Sequence, residues 1–214
     1  MIHAYDKIYL EKARASLARM LDFAVYDLHY NISDFFEIFL ESGLAERFEK
    51  GDTTILVGKS GVELAYEVLE KVGKMEERVK PRYAGNRSEE YWTGWALAYY
   101  QWKTALSFSE IVTYISIEKI VKMYTPYHEM DIQQFADKMN ELYRVAKPDT
   151  NLKMLRKRAG LSQKELAEQS EIPLRTIQQY EQRQKNINKA SAEYVISLSK
   201  VLVCEPEDLL EHTD

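Results

Sequence analysis

An all-α protein of two parts is predicted by three features of the 214-residue chain. Apolar residues recur at three- and four-residue spacing along most of it, the period of a helix with one face on a core. Breakers are sparse, 8 glycines and 5 prolines, and most stand between the periodic runs. The stretch "AKPDT" interrupts the pattern where charge character changes, and Pro148 disfavours helix at Lys147. Residues 146–150 therefore read as a linker between an N-terminal multi-helix domain, 1–145, and a C-terminal domain, 151–214.

The first helix is expected over residues 5–28, with Leu10, Ala13, Leu17, Met20, Leu21, Ala24 and Leu28 on one stripe. Ser33 is expected to cap a second helix, "DFFEIFLES", ended by Gly43, and a short helix over 44–50 stops at Gly51. "TTILVG" is the one β-like patch, too short to found a sheet. Ser60 with Glu63 forms a capping-box pattern before "VELAYEVLEKV". A polar loop over 73–87 leads to Ser88 and a long aromatic helix ending near Leu106. Two short helices follow, "SEIVTYI" and "SIEKIVKMY", then a break at Pro126 and a last helix over 131–145.

Composition narrows the function classes. The longest apolar runs fall well short of the roughly 20 residues that span a bilayer, and the charged N-terminus lacks a secretory apolar region, so a cytoplasmic protein without membrane contact is expected. A single cysteine, Cys204, excludes an internal disulfide and a cysteine-rich zinc site. The net charge of -5 hides a local excess. Residues 151–189 carry nine basic side chains against four acidic ones, 9 - 4 = +5.

Within that basic stretch, "NLKMLRKRAG" is a helix with Leu152 and Leu155 inward and Gly160 at its end. Ser162 caps a second helix, with Glu165 at the capping-box position and Leu166 and Ala167 on one face. A bend over 170–172 leads to Pro173 at the start of a third helix. Ile177 and Tyr180 anchor that helix, leaving Leu174, Arg175, Thr176, Gln178 and Gln179 outward. Two short helices around a tight bend, with a polar outer face on the second, suit the DNA major groove, where Arg pairs with guanine and Gln with adenine.

At these residues the chain resembles the Cro and lambda-repressor family, the XRE-type helix-turn-helix, over residues 151–211. "GLSQKELAEQSEIPLRTIQQYEQ", "ASAEYVISLSKVL" and "EPEDLL" occur in the family's order. The resemblance implies a five-helix DNA-binding domain. It places Gln163 at the phosphate contact, Leu174, Arg175, Thr176 and Gln179 at base-facing positions, and Lys185 and Asn186 in a loop approaching the backbone. Gln178 and Arg183 complete the expected DNA-binding set. It also implies a salt bridge between Arg156 and Glu181. Glu171 departs from the family, standing where glycine is usual, so the bend is expected to cost about 1 kcal/mol or to be made differently.

The first two thirds offer weaker signals. Trp92, Trp95, Tyr99 and Trp102 form one helical stripe, which reads as core and, as a candidate, as a partner or ligand surface. Gly94 marks a close approach of another helix. "VGKSG" lacks the upstream glycine of a phosphate-binding loop, Thr53 standing there, and reads as a helix cap. "YHEMD" lacks the second histidine of a zinc-protease helix, so no metal or cofactor is expected. The Arg-x4-His spacing of helical ribonuclease toxins is absent. "FSEIVTYISIEKIVKMY" resembles a degenerate second helix-turn-helix with few basic residues. The N-terminal region resembles helical domains of toxin-antitoxin-associated regulators. These readings predict a non-enzymatic DNA-binding regulator, homodimeric on operator duplex, an autorepressor and the antitoxin of a cognate toxin. The alternatives are an N-terminal enzyme or toxin and a small-molecule sensor, each merely regulated by the helix-turn-helix.

Overall fold

A computed structural model describes residues 3–74, 77–82 and 87–211, and every regular element among them is helical. The chain divides into two compact units, Met1–Lys147 and Pro148–Asp214. None of the described helices is long and apolar enough to cross a membrane.

The N-terminal unit is built around α1 (Leu10–Tyr26). The expected stripe is buried except for Leu28, which lies past the end of α1 and is half-buried; Ser16, Ala18 and Phe23 off the stripe are buried too, because helices cover α1 on more than one side. Helices α2 (Ile32–Glu41), α3 (Leu44–Glu49), α4 (Thr53–Leu56), α5 (Gly61–Lys71) and α6 (Glu89–Thr104) follow. Two glycines permit the cover. A Cβ on Gly94 of α6 would lie 2.6 Å from the Leu17 carbonyl oxygen, and one on Gly61 of α5 would lie 2.5 Å from that of Ser16. The expected close approach at Gly94 is thus to α1. Phe36, Phe39, Phe48 and Phe108 meet edge-on or tilted with ring centroids 5.7 to 6.4 Å apart, tying α2, α3 and α7 (Phe108–Tyr114) together. Then come α8 (Ile117–Val121), α9 (Tyr124–Tyr127) and α10 (Ile132–Ala146).

Several local expectations change. Asn31, not Ser33, caps α2, because Asn31 Oδ1 accepts the Ser33 amide at 2.8 Å while the Ser33 hydroxyl donates to Glu118. "TTILVG" is not extended. Asp52 accepts the Thr54 amide at 2.9 Å, and the helical turn this cap starts buries Ile55 and Leu56. Pro126 lies inside the turn α9 rather than in a simple break. The Ser60–Glu63 capping box forms. Of the loop over 73–87, residues 75–76 and 83–86 lie outside the described residues. The remainder is pinned where Val79 donates to Tyr66 Oη and Arg82 to the buried Asp27, both at 2.8 Å.

The aromatic stripe does not form one surface. Trp92 is 7% and Trp102 5% exposed; Trp92 packs on Phe135, and the Trp102 indole donates to the Tyr5 carbonyl at 2.8 Å. Trp95 is half-buried under the Arg14 guanidinium, 3.3 Å from its ring centroid, and Tyr99 is half-buried beside it. The physical reason is that α6 is covered on several sides, so aromatics one helical face apart bury their area in the core. A cavity of about 820 Å³ lies elsewhere, between α5 and residues 78–81, and no stripe residue lines it.

The C-terminal unit holds α11 (Asn151–Arg158), α12 (Gln163–Ser170), α13 (Leu174–Glu181) and α14 (Ala192–Leu202). The fifth helix is a closing 3-10 turn, Pro206–Leu209. The core contains Leu152, Leu166, Ile172, Ile177, Tyr180, Ile187, Leu198, Leu202 and Leu209, drawn from every helix.

Candidate nucleic-acid interface

The interface is built from the two capped ends of α12 and the outer face of α13. Ser162 accepts the Glu165 amide at 3.1 Å and donates its own amide to Glu165 at 2.7 Å, so α12 starts on a reciprocal cap. That amide bond, with the Ser162 hydroxyl, holds the Glu165 carboxyl below the usual glutamate range. At the other end, Ser170 is buried, and its carbonyl accepts the Ser197 hydroxyl of α14 at 2.7 Å. The chain then turns at Glu171 with φ 57 and ψ 23, the left-handed conformation. Glutamate therefore adopts the backbone a glycine would adopt more easily. Glu171→Gly is expected to stabilise the unit by about 1 kcal/mol, read as a raised urea midpoint. An unchanged or lowered midpoint would mean that glycine's greater unfolded entropy outweighs the relieved strain.

After the bend, Ile172 enters the core and Pro173 precedes α13. Ile177 and Tyr180 face inward, which leaves Leu174 and Arg175 exposed and Thr176, Gln178 and Gln179 half-buried, all on the sides turned from the core. Every base-facing position named from the sequence therefore reaches the surface of one short helix.

The basic excess is smaller than its formal count. Asp149 binds Lys153 at 2.6 Å and Lys157 at 2.7 Å, and the two ammonium groups hold its carboxyl down at about 2. Lys164 lies 3.8 Å from Glu168. Arg183 is engaged within the unit. Its guanidinium donates to Glu211 at 2.8 Å and to the Pro148 carbonyl at 3.0 Å, clamping the turn after α13 to both ends of the unit. That side chain keeps 30% exposure. Arg158, Arg175, Lys185 and Lys189 form no salt bridge among the described residues. Lys185 and Asn186 sit in the exposed loop after α13, where Asn186 Oδ1 caps the turn Ile187–Lys189 through the Asn188 amide at 2.9 Å.

Beneath the interface, Arg156 of α11 and Glu181 of α13 form the expected salt bridge. Nε reaches Oε1 at 2.5 Å and Nη2 reaches Oε2 at 2.9 Å, with the carboxylate side chain 1% exposed. The hydrogen bond to Glu181 raises the guanidinium pKa further. Gln163, at the first position of α12, donates Nε2 to Glu181 Oε2 at 2.7 Å. Sequence reasoning missed that bond and the role of Glu211. Glu211 accepts from Arg183 and from the Asn151 amide, the latter at 3.2 Å, across separations of 28 and 60 residues that no local pattern records.

The remaining candidates do not join this site. His128 packs on the Tyr124 ring at 4.3 Å and contacts the Tyr124 carbonyl at 3.0 Å, closing α9. Among the described residues no group of three or more His, Cys, Asp or Glu side chains could hold a metal ion.

In comparisons with known proteins, no curated protein and no solved structure matches the chain. A family model does. Residues 152–209, spanning all four helices and the closing turn, match the helix-turn-helix family, and the C-terminal unit is an XRE-type helix-turn-helix, the module of a DNA-binding regulator.

Proposed function

We propose that this protein is a sequence-specific transcriptional repressor of its own promoter, a binding protein rather than an enzyme. The observation that carries the reading is the outer face of α13. Leu174, Arg175, Thr176, Gln178 and Gln179 stand clear of the core on a helix narrow enough for the major groove, with Lys185 and Asn186 beside it. The protein acts as a homodimer, because one such unit makes few base contacts and paired half-sites double them. Its N-terminal unit supplies the protein contacts. In the finer form of the proposal that unit neutralises a cognate toxin.

The test is binding of the full chain to the DNA upstream of its own gene and to a random-sequence duplex, across a salt series. Promoter-selective binding with a steep salt slope is expected. Absent or salt-insensitive binding would overturn the reading. Arg175→Ala is expected to lose roughly 1–3 kcal/mol on the promoter and relax one base position, whereas Lys185→Ala should weaken all sequences alike and lower the salt slope by about 1. The toxin form is tested by co-purification with, and inhibition of, the product of the adjacent gene. Failure of both removes it and leaves the repressor.

A further inference from the structure

The first turn of α12 carries a side chain held in an unusual way. Gln163 is half-exposed, yet its amide nitrogen is bound at 2.7 Å by a carboxylate that is almost wholly buried. A carboxylate only accepts, so the amide must turn its nitrogen, not its oxygen, toward Glu181. The nitrogen carries two hydrogens. Glu181 takes one, and the other has no acceptor among the described residues. The carboxylate is itself held by two bonds from Arg156. Arg156 also donates Nη1 to the Leu161 carbonyl at 2.7 Å, fixing the chain just before the Ser162 cap. One buried pair thus holds the entrance of α12 at its backbone and at its first side chain.

We propose that Glu181 is a positioning residue for the DNA backbone contact: by holding one N–H of the Gln163 amide, it presents the other, already oriented, to a phosphate oxygen. The proposal rests on the DNA-binding reading of this unit and adds a residue that no DNA atom touches. An unrestrained glutamine would lose rotamer freedom on binding; this one has lost it on folding. The bond also links the phosphate contact on α12 to the end of α13, the helix that carries the base-facing residues.

The experiment is a double-mutant cycle on DNA affinity with Gln163→Ala and Glu181→Gln, at a temperature where circular dichroism shows every variant folded. Gln163→Ala is expected to weaken promoter and random duplex equally, by roughly tenfold to a hundredfold. Glu181→Gln should weaken both as well, but add little in the Gln163→Ala background, since the side chain it positions is gone. Equal losses in both backgrounds would overturn the proposal and leave Glu181 a purely structural partner. Loss of all DNA binding by the unsubstituted chain would overturn the underlying reading instead. Should Glu181→Gln fail to fold, the side-chain amide of Gln163 is read in the unsubstituted protein by NMR. A high side-chain order parameter is expected, with the proton bound to the carboxylate shifted downfield of a free glutamine amide, and a low order parameter with free-glutamine shifts would sink the idea.

Discussion

Glu181→Ala is expected to destabilise the C-terminal unit by roughly 3–5 kcal/mol, because it strands the Arg156 guanidinium, whose side chain is 10% exposed, without its carboxylate. Arg156 would keep only its bond to the Leu161 carbonyl, and Gln163 would lose its acceptor. The pair is not intrinsically so stabilising. Replacing both partners with apolar residues of similar volume, Arg156→Met with Glu181→Leu, is expected to recover most of the loss, since neither charge is then left buried. Urea unfolding followed by far-ultraviolet circular dichroism checks both variants. All three tryptophans lie in the N-terminal unit, so their fluorescence reports that unit separately. A Glu181→Ala midpoint equal to that of the unsubstituted chain would show that the pair carries no such load.

Gly94→Ala tests the other unit. The added Cβ would meet the Leu17 carbonyl oxygen at 2.6 Å and the Ala18 Cα at 2.7 Å, both backbone atoms of α1. No side chain can rotate aside, so α1 and α6 must separate along a contact that buries Leu17, Ala18, Leu97 and Ala98 completely. A loss of at least 1–3 kcal/mol follows from overpacking, and loosened packing along the contact adds to it. The tryptophan fluorescence midpoint should fall, since Trp92 and Trp95 flank the substituted residue on α6. An unmoved midpoint would mean that the helices slide past each other without strain.

Local pattern fixes local structure where one rule acts alone. The capping boxes at Ser60 and Ser162 form because both partners lie within one turn and need no other element. Where a capping side chain two residues away competes, the local pattern is overridden. Asn31 took the cap expected of Ser33, and Asp52 turned a β-like run into helix.

The long helices, the bend after Ser170, and the outward face Leu174, Arg175, Thr176, Gln178 and Gln179 were determined by the sequence itself, whereas the short turns α4 and α9 were not. Period, caps and breakers act within a few residues, and a short amphipathic helix leaves its polar side outside wherever its apolar side goes. The tertiary structure alone decided which charged and aromatic side chains remained available. Arg183 pairs with Glu211, Lys153 and Lys157 pair with Asp149, and Trp92 and Trp102 are buried in the core. It also decided that Gln163 meets Glu181. A side chain's partner is set by what the fold brings within about 3 Å, and sequence separation carries no record of that distance.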